Sequence, residues 1–141
     1  MEETKVFNYI KNVLKNMPNG WLSTTTHRLD IYDEKLAKTQ FLNHFEVLFD
    51  KDKHDISALE ALPTAYDYIR LGHPLSCVLE WAIAKLNHLN TENVISFSSK
   101  TIPVLAILRK NLLDKKSTQI NYVGELPDCF DALVLKQVYG Y

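Results

Sequence analysis

Val94-Ile95-Ser96-Phe97, then Ser98-Ser99-Lys100-Thr101, then Ile102 to Leu113 and finally Gln119 to Val123 make up the stretch on which the fold turns. The first four residues follow the turn-like Asn90-Thr91-Glu92-Asn93 and are rich in β-branched and aromatic side chains, which predicts a strand. The serines, Lys100 and Thr101 predict a loop. Leu105, Leu108 and Leu112 fall on one face of a helix over 102–113, and Gln119 to Val123 predicts a second strand. A strand, a covering helix and another strand of this length predict a right-handed parallel crossover over 94–123. The expected fold class is α/β: a helix-rich single domain, residues 1–141, with two to four short strands in an at least partly parallel sheet.

Upstream, helical periods dominate. Val6, Ile10, Val13, Leu14 and Met17 predict an amphipathic helix stopped at Pro18-Asn19-Gly20. Trp21 to Tyr32 fits a short strand or an extended connector equally well. Asp33 is placed to cap a helix with the stripe Leu36, Phe41, Leu42, Phe45, Leu48 and Phe49. Ser57 and Glu60 have capping-box spacing before a helical stretch that Pro63 interrupts, and Gly72 supplies a left-handed stop. Pro74 opens the next helix, whose stripe reads Leu75, Val78, Leu79, Ala82, Ile83 and Leu86. At the other end, Asp128 to Tyr139 fits a helix capped by Asp128 and ended by Gly140, although Ala132-Leu133-Val134-Leu135 is also compatible with strand.

The 141 residues are about one domain's worth, and 46% hydrophobic with 23% charged side chains is ordinary globular usage. Sixteen basic against seventeen acidic residues leave no overall field to attract polyanions, so a nucleic-acid role is not expected. The start, Met1-Glu2-Glu3, lacks the basic flank and apolar core of a secretory signal, and no apolar run approaches the roughly 20 residues of a membrane span. A cytoplasmic location without membrane association is expected. Cys77 and Cys129 have neither CxxC nor metal-ligand spacing, and in a reducing compartment both are expected as thiols.

The most chemically suggestive stretch is Ser98-Ser99-Lys100-Thr101. A loop leading into a helix N-terminus offers unpaired backbone N–H groups and a positive dipole end to an anion, and Lys100 adds a full charge. A nucleotide P-loop is excluded, because Val94 and Ser99 stand where its glycines belong. The same residues can instead simply cap the helix. Arg70 is the remote cation best suited to join an anion here, since its planar fork binds phosphate or carboxylate bidentately. Asp50-Lys51-Asp52-Lys53-His54-Asp55 begins like a calcium loop but has Asp55 where glycine is needed and Ala61 where a glutamate is needed, which leaves a solvated charged loop. Cys129, just after its expected cap, has the place of an activated thiol but no histidine follows it. His44, His73 and His88 lie in different segments without metal spacing, so no metal site is expected.

From Tyr66 to about Leu108 the chain resembles the pyridoxal-phosphate enzymes of cysteine and methionine metabolism, the cystathionine synthase and lyase group. The residues that carry the resemblance are Tyr68-Ile69-Arg70, Gly72-His73-Pro74-Leu75, Leu79-Glu80, Ile83-Ala84 and Phe97-Ser98-Ser99-Lys100. It implies that Tyr68, Arg70, Ser99 and Lys100 occupy cofactor-phosphate positions. The sequence departs from that family at His73, Leu75 and Lys100, where asparagine, threonine and glycine are usual. No counterpart of the Schiff-base lysine or of the acid facing the pyridine nitrogen is present, so a self-sufficient enzyme with this cofactor is not expected.

No complete catalytic constellation can be assembled from these residues. The expected function is a non-catalytic interaction or regulatory protein, self-associating or bound to a protein partner, with no cofactor. The alternative is a small-ligand protein that holds a phosphate-type anion through Ser98, Ser99, Lys100 and Thr101 with Tyr68 and Arg70, as a truncated relative or partner subunit of a pyridoxal-phosphate enzyme.

Overall fold

Glu2 and Glu3 in its first turn and Lys15 in its last complement the dipole of helix α1, Glu2–Lys15, which buries Val6, Tyr9 and Val13. Pro18 ends its run, and a 3₁₀ turn over Asn19–Leu22 carries Trp21 into the core. The computed structural model describes residues 2–22, 34–63, 73–126 and 130–139. Within them lie α2 (Glu34–Asp50), α3 (Ile56–Glu60), α4 (Pro74–Leu86), a 3₁₀ turn at Thr91–Asn93, α5 (Thr101–Leu113) and α6 (Ala132–Tyr139). The chain divides into two compact units, Met1–Ser96 and Phe97–Tyr141.

In the first unit α1 and α2 both pack on α4. Trp81 is the hub: it is wholly buried, meets Phe45 and Phe49 edge-on at 5.1 and 4.9 Å between centroids, and lies 6.1 Å from the Tyr9 ring. Such tilted aromatic contacts add to the large apolar area these rings remove from water. The indole Nε1–H donates to Glu46 Oε2 at 2.6 Å, and Glu46 also pairs with Lys85. Phe41, Leu42, Phe45 and Phe49 are buried as their spacing on α2 predicts. On α4 the buried face is Pro74, Cys77, Val78, Trp81 and Ala84, whereas Leu79 and Ile83 are exposed. The face is turned by about one residue from the expected stripe, because the largest ring on the helix decides which side meets the other aromatics.

Three helix ends share one backbone device. After α2, α4 and α5 the N–H groups of Lys53, Leu89 and Lys116 reach back to the carbonyls of Leu48, Ala84 and Asn111. Those of Asp52, His88 and Lys115 reach Phe49, Lys85 and Leu112. Each is a Schellman closure whose middle residue takes positive φ: 50° at Asp52, 54° at His88 and 57° at Lys115. None of the three is glycine.

The expected α/β class is overturned: the described residues contain helices and no strand, so the crossover over 94–123 does not form. Val94 does adopt extended angles (φ −108°, ψ 126°), as a β-branched residue prefers. Its segment nevertheless has no strand neighbour, because side chains occupy its backbone groups. Ser96 N–H donates to Glu80 Oε1 at 2.6 Å and the Val94 carbonyl accepts from Lys38 Nζ at 3.0 Å. At Gln119 to Val123 the side chains of Ile120, Tyr122 and Val123 are all exposed, so the period-2 burial that stabilises a strand is missing.

Other boundaries moved for local reasons. Asp55, not Ser57, caps α3: its Oδ1 accepts from Ala58 N–H at 3.0 Å and from the Ser57 hydroxyl at 2.5 Å. Asp131 caps α6 through Leu133 and Val134 N–H at 2.9 and 3.0 Å, which settles Ala132 to Leu135 as helix. The expected caps Asp33 and Asp128, the stops Gly72 and Gly140, and residues 23–32 of the Trp21 to Tyr32 segment lie outside the described residues.

Candidate functional site

The loop before α5 is present as read from sequence. Ser98 and Lys100 are exposed, Ser99 is half-buried, and Thr101 begins the helix. Thr101 N–H donates to Ser99 Oγ at 3.2 Å, so one amide at this helix start is already occupied by a side chain. Lys100 sits at the N-cap position in helical conformation (φ −71°, ψ −26°) and supplies no side-chain cap. With no strand before it, this loop is not the carboxyl edge of a parallel sheet, where ligands commonly settle, so the fold itself adds no reason to place one here. Tyr68 and Arg70, the proposed remote partners, lie outside the described residues, as does Cys129.

The 50–55 loop is a docking device. Tyr9 Oη donates to the Lys53 carbonyl at 2.9 Å and Asn16 Nδ2 to the His54 carbonyl at 3.0 Å. Asn12 and Asn16 amides lie 3.4 and 3.3 Å from the two ring nitrogens of His54. These bonds tie the loop to α1. The Ser57 hydroxyl, then the Ala58 amide, hold the Asp55 carboxyl below the usual carboxylate range. No group of three or more His, Cys, Asp or Glu gathers among the described residues in a way that would hold a metal ion. His73 caps α4, its Nδ1 accepting from Leu75 N–H at 3.2 Å, and the tautomer this implies carries its proton on Nε2.

Sequence reasoning missed two clusters. The first surrounds Glu80, which is 5% exposed. Its Oε2 pairs with Lys38 Nζ at 2.5 Å, and its Oε1 accepts from both the amide and the hydroxyl of Ser96, at 2.6 and 2.8 Å. A charge on the buried face of an otherwise apolar helix must find such partners, because an unpaired buried carboxylate is too costly to keep. The lone acid in Leu79-Glu80-Trp81 was the available signal. Lys38 and Ser96 both serve to hold segment 94–96 to α2 and α4, which gives the cluster an architectural role.

Cys77 lies one turn before Trp81 and is fully buried. Burial first, then the Glu80 carboxylate, pushes its thiol from 9.0 up to about 12, with Lys38 opposing. A thiol so held is not a nucleophile. Because the folded state keeps this proton and the unfolded state releases it near pH 9, stability is expected to fall as pH rises from about 9 toward 12. Below pH 10 Tyr9, itself shifted upward by burial and by Asp52 and Glu46, does not yet contribute. Cys77→Ala should therefore flatten the decline in melting temperature just above pH 9. An unchanged slope would show that the thiol is not the titrating group.

The second cluster lies in the unit Phe97–Tyr141. A cavity of about 540 Å³ opens between α5, α6 and the segment 116–126. Its wall is mainly aliphatic, from Leu108, Leu112, Ile120, Leu126 and Leu135, with Phe130 and Tyr122 as the rings. Lys116, Ser117 and Thr118 form its polar edge. The Thr118 hydroxyl accepts from Asn111 Nδ2 at 3.0 Å, which fixes that edge to α5. The lining comes from residues far apart in sequence, so no local pattern announced it.

No protein-family model, no curated protein and no solved structure matches this chain.

Proposed function

We propose that the chain is a non-catalytic, cytoplasmic interaction protein that self-associates through its unit Phe97–Tyr141. One observation carries this reading. Among the described residues of that unit only Leu108 and Leu135 are buried apolar side chains, while ten large ones are exposed, with Leu113 at 74%, Leu133 at 69% and Val123 fully so. A unit of this size is marginal even with a good core, and apolar surface left in water is what association removes. Closed two-fold dimers are the commonest way for one chain to cover its own apolar surface. No described helix is long and apolar enough to cross a membrane, so a spanning role for these residues does not compete.

Light scattering after size-exclusion chromatography tests it. The full chain should elute with the mass of two or more 16.3 kDa chains, and Leu113→Glu with Val123→Glu should elute as a monomer with unchanged helical circular dichroism. A wild-type chain that stays monomeric at all concentrations overturns self-association. In the same preparation, a melting temperature raised by phosphate or pyridoxal phosphate would instead favour the anion-binding alternative at Ser98, Ser99, Lys100 and Thr101.

A further inference from the structure

We propose that the cavity between α5 and α6 binds a single-chain amphiphile, an unbranched apolar tail with an anionic head. Its volume of about 540 Å³ lies within the roughly 300–1,000 Å³ usual for small-molecule sites. The aliphatic wall suits a hydrocarbon chain better than a nucleobase or sugar, which would need several buried donors and acceptors. A smaller cavity of about 150 Å³, lined by Val104, Leu105 and Val134 among others, shares Phe130 and Leu135 with the first. The two apolar spaces thus adjoin at Phe130 and Leu135, an arrangement that suits a chain better than a compact ring system.

Charge orients the ligand. Among the described residues, Lys116 is the only charged one lining the larger cavity, and Asp131 the only one lining the smaller. Asp114, 3.5 Å from Lys116, is already held by Lys110 at 2.5 Å. Two lysines share this one aspartate, so an anionic head belongs at Lys116 with Ser117 and Thr118 as hydrogen-bond donors. Asp131, which lines the smaller cavity and whose Oδ1 caps α6, repels the same head and favours the apolar tail there. Leu112, Ile120, Tyr122 and Val134 belong both to the exposed apolar set and to the cavity walls, whereas Leu113, Val123 and Leu133 line neither cavity, so changes at the latter three separate this site from the self-association reading.

The test is calorimetric titration of the full chain with monomeric dodecanoate, with dodecanol as the neutral probe and anionic phospholipid vesicles as the bilayer probe. Saturable binding of one dodecanoate per chain is expected. Lys116→Glu should weaken dodecanoate by roughly tenfold or more while leaving dodecanol unchanged, as expected for loss of a charge-assisted contact. Ala132→Phe, which places a ring in the cavity from the first turn of α6, should weaken both. Unsaturable uptake, an equal loss with Leu113→Glu, no response to Lys116→Glu, or binding to vesicles without binding of monomeric dodecanoate would each overturn the proposal. Circular dichroism of each variant separates lost binding from lost fold.

Discussion

Trp81→Ala is expected to destabilise the chain by about 3–5 kcal/mol, the cost of emptying a fully buried aromatic site that its neighbours cannot refill. The ring touches Phe45 and Phe49 edge-on, and it leaves no atom exposed. Against a total stability of about 5–15 kcal/mol for a typical domain, that loss brings the unit Met1–Ser96 close to unfolding at ambient temperature. Trp81→Phe should cost less. It keeps the edge contacts but removes the donor to Glu46, which is part-exposed and still paired with Lys85. Urea denaturation followed by circular dichroism measures both. A loss for Trp81→Ala below about 1 kcal/mol would mean that the aromatic cluster is not the core.

Lys38→Ala should be nearly as damaging, at about 3 kcal/mol, the lower end expected for breaking a buried ion pair because Lys38 itself is partly exposed. It leaves the buried Glu80 carboxyl with Ser96 as its partner among the described residues. It also removes the donor to the Val94 carbonyl. Pairing Lys38→Met with Glu80→Leu should recover part of the loss, since an apolar pair needs no desolvation of charge. Glu80→Ala alone should speed hydrogen exchange at the Ser96 amide, whose acceptor it deletes. If single and double variants are equally destabilised, and Ser96 exchange is unchanged, the ion pair is not what holds the segment.

The helices were legible where one apolar period was unambiguous. On α2 the spacing of Phe41, Leu42, Phe45 and Phe49 is the spacing of the buried face, and Pro74 opens α4 as its fixed φ suggests. On α4 nearly every position is apolar, so two stripes a residue apart fit the period, and only the rings of Tyr9, Phe45 and Phe49 select the one bearing Trp81. The strands were misread for a related reason. Val94-Ile95-Ser96-Phe97 has strand composition, but a strand exists only with a neighbour, and here Glu80 and Lys38, distant in sequence, take the bonds a neighbour would have made. The serine loop before α5 was visible because caps are local. The cavity was not, since its wall combines residues from 108 to 135 whose meeting depends on tertiary packing.

The Schellman closures after α2, α4 and α5 place Asp52, His88 and Lys115 in a backbone region that disfavours side chains with a Cβ. All three are solvent-exposed, and none lines the cavity between α5 and α6. The chain therefore has thermodynamic headroom at three points where deleting a side chain to glycine relieves strain and sacrifices little packing. A variant hardened in this way would give a robust background in which the costly changes at Trp81 and Lys38, or the charge reversal at Lys116, could be studied without the molecule unfolding around them.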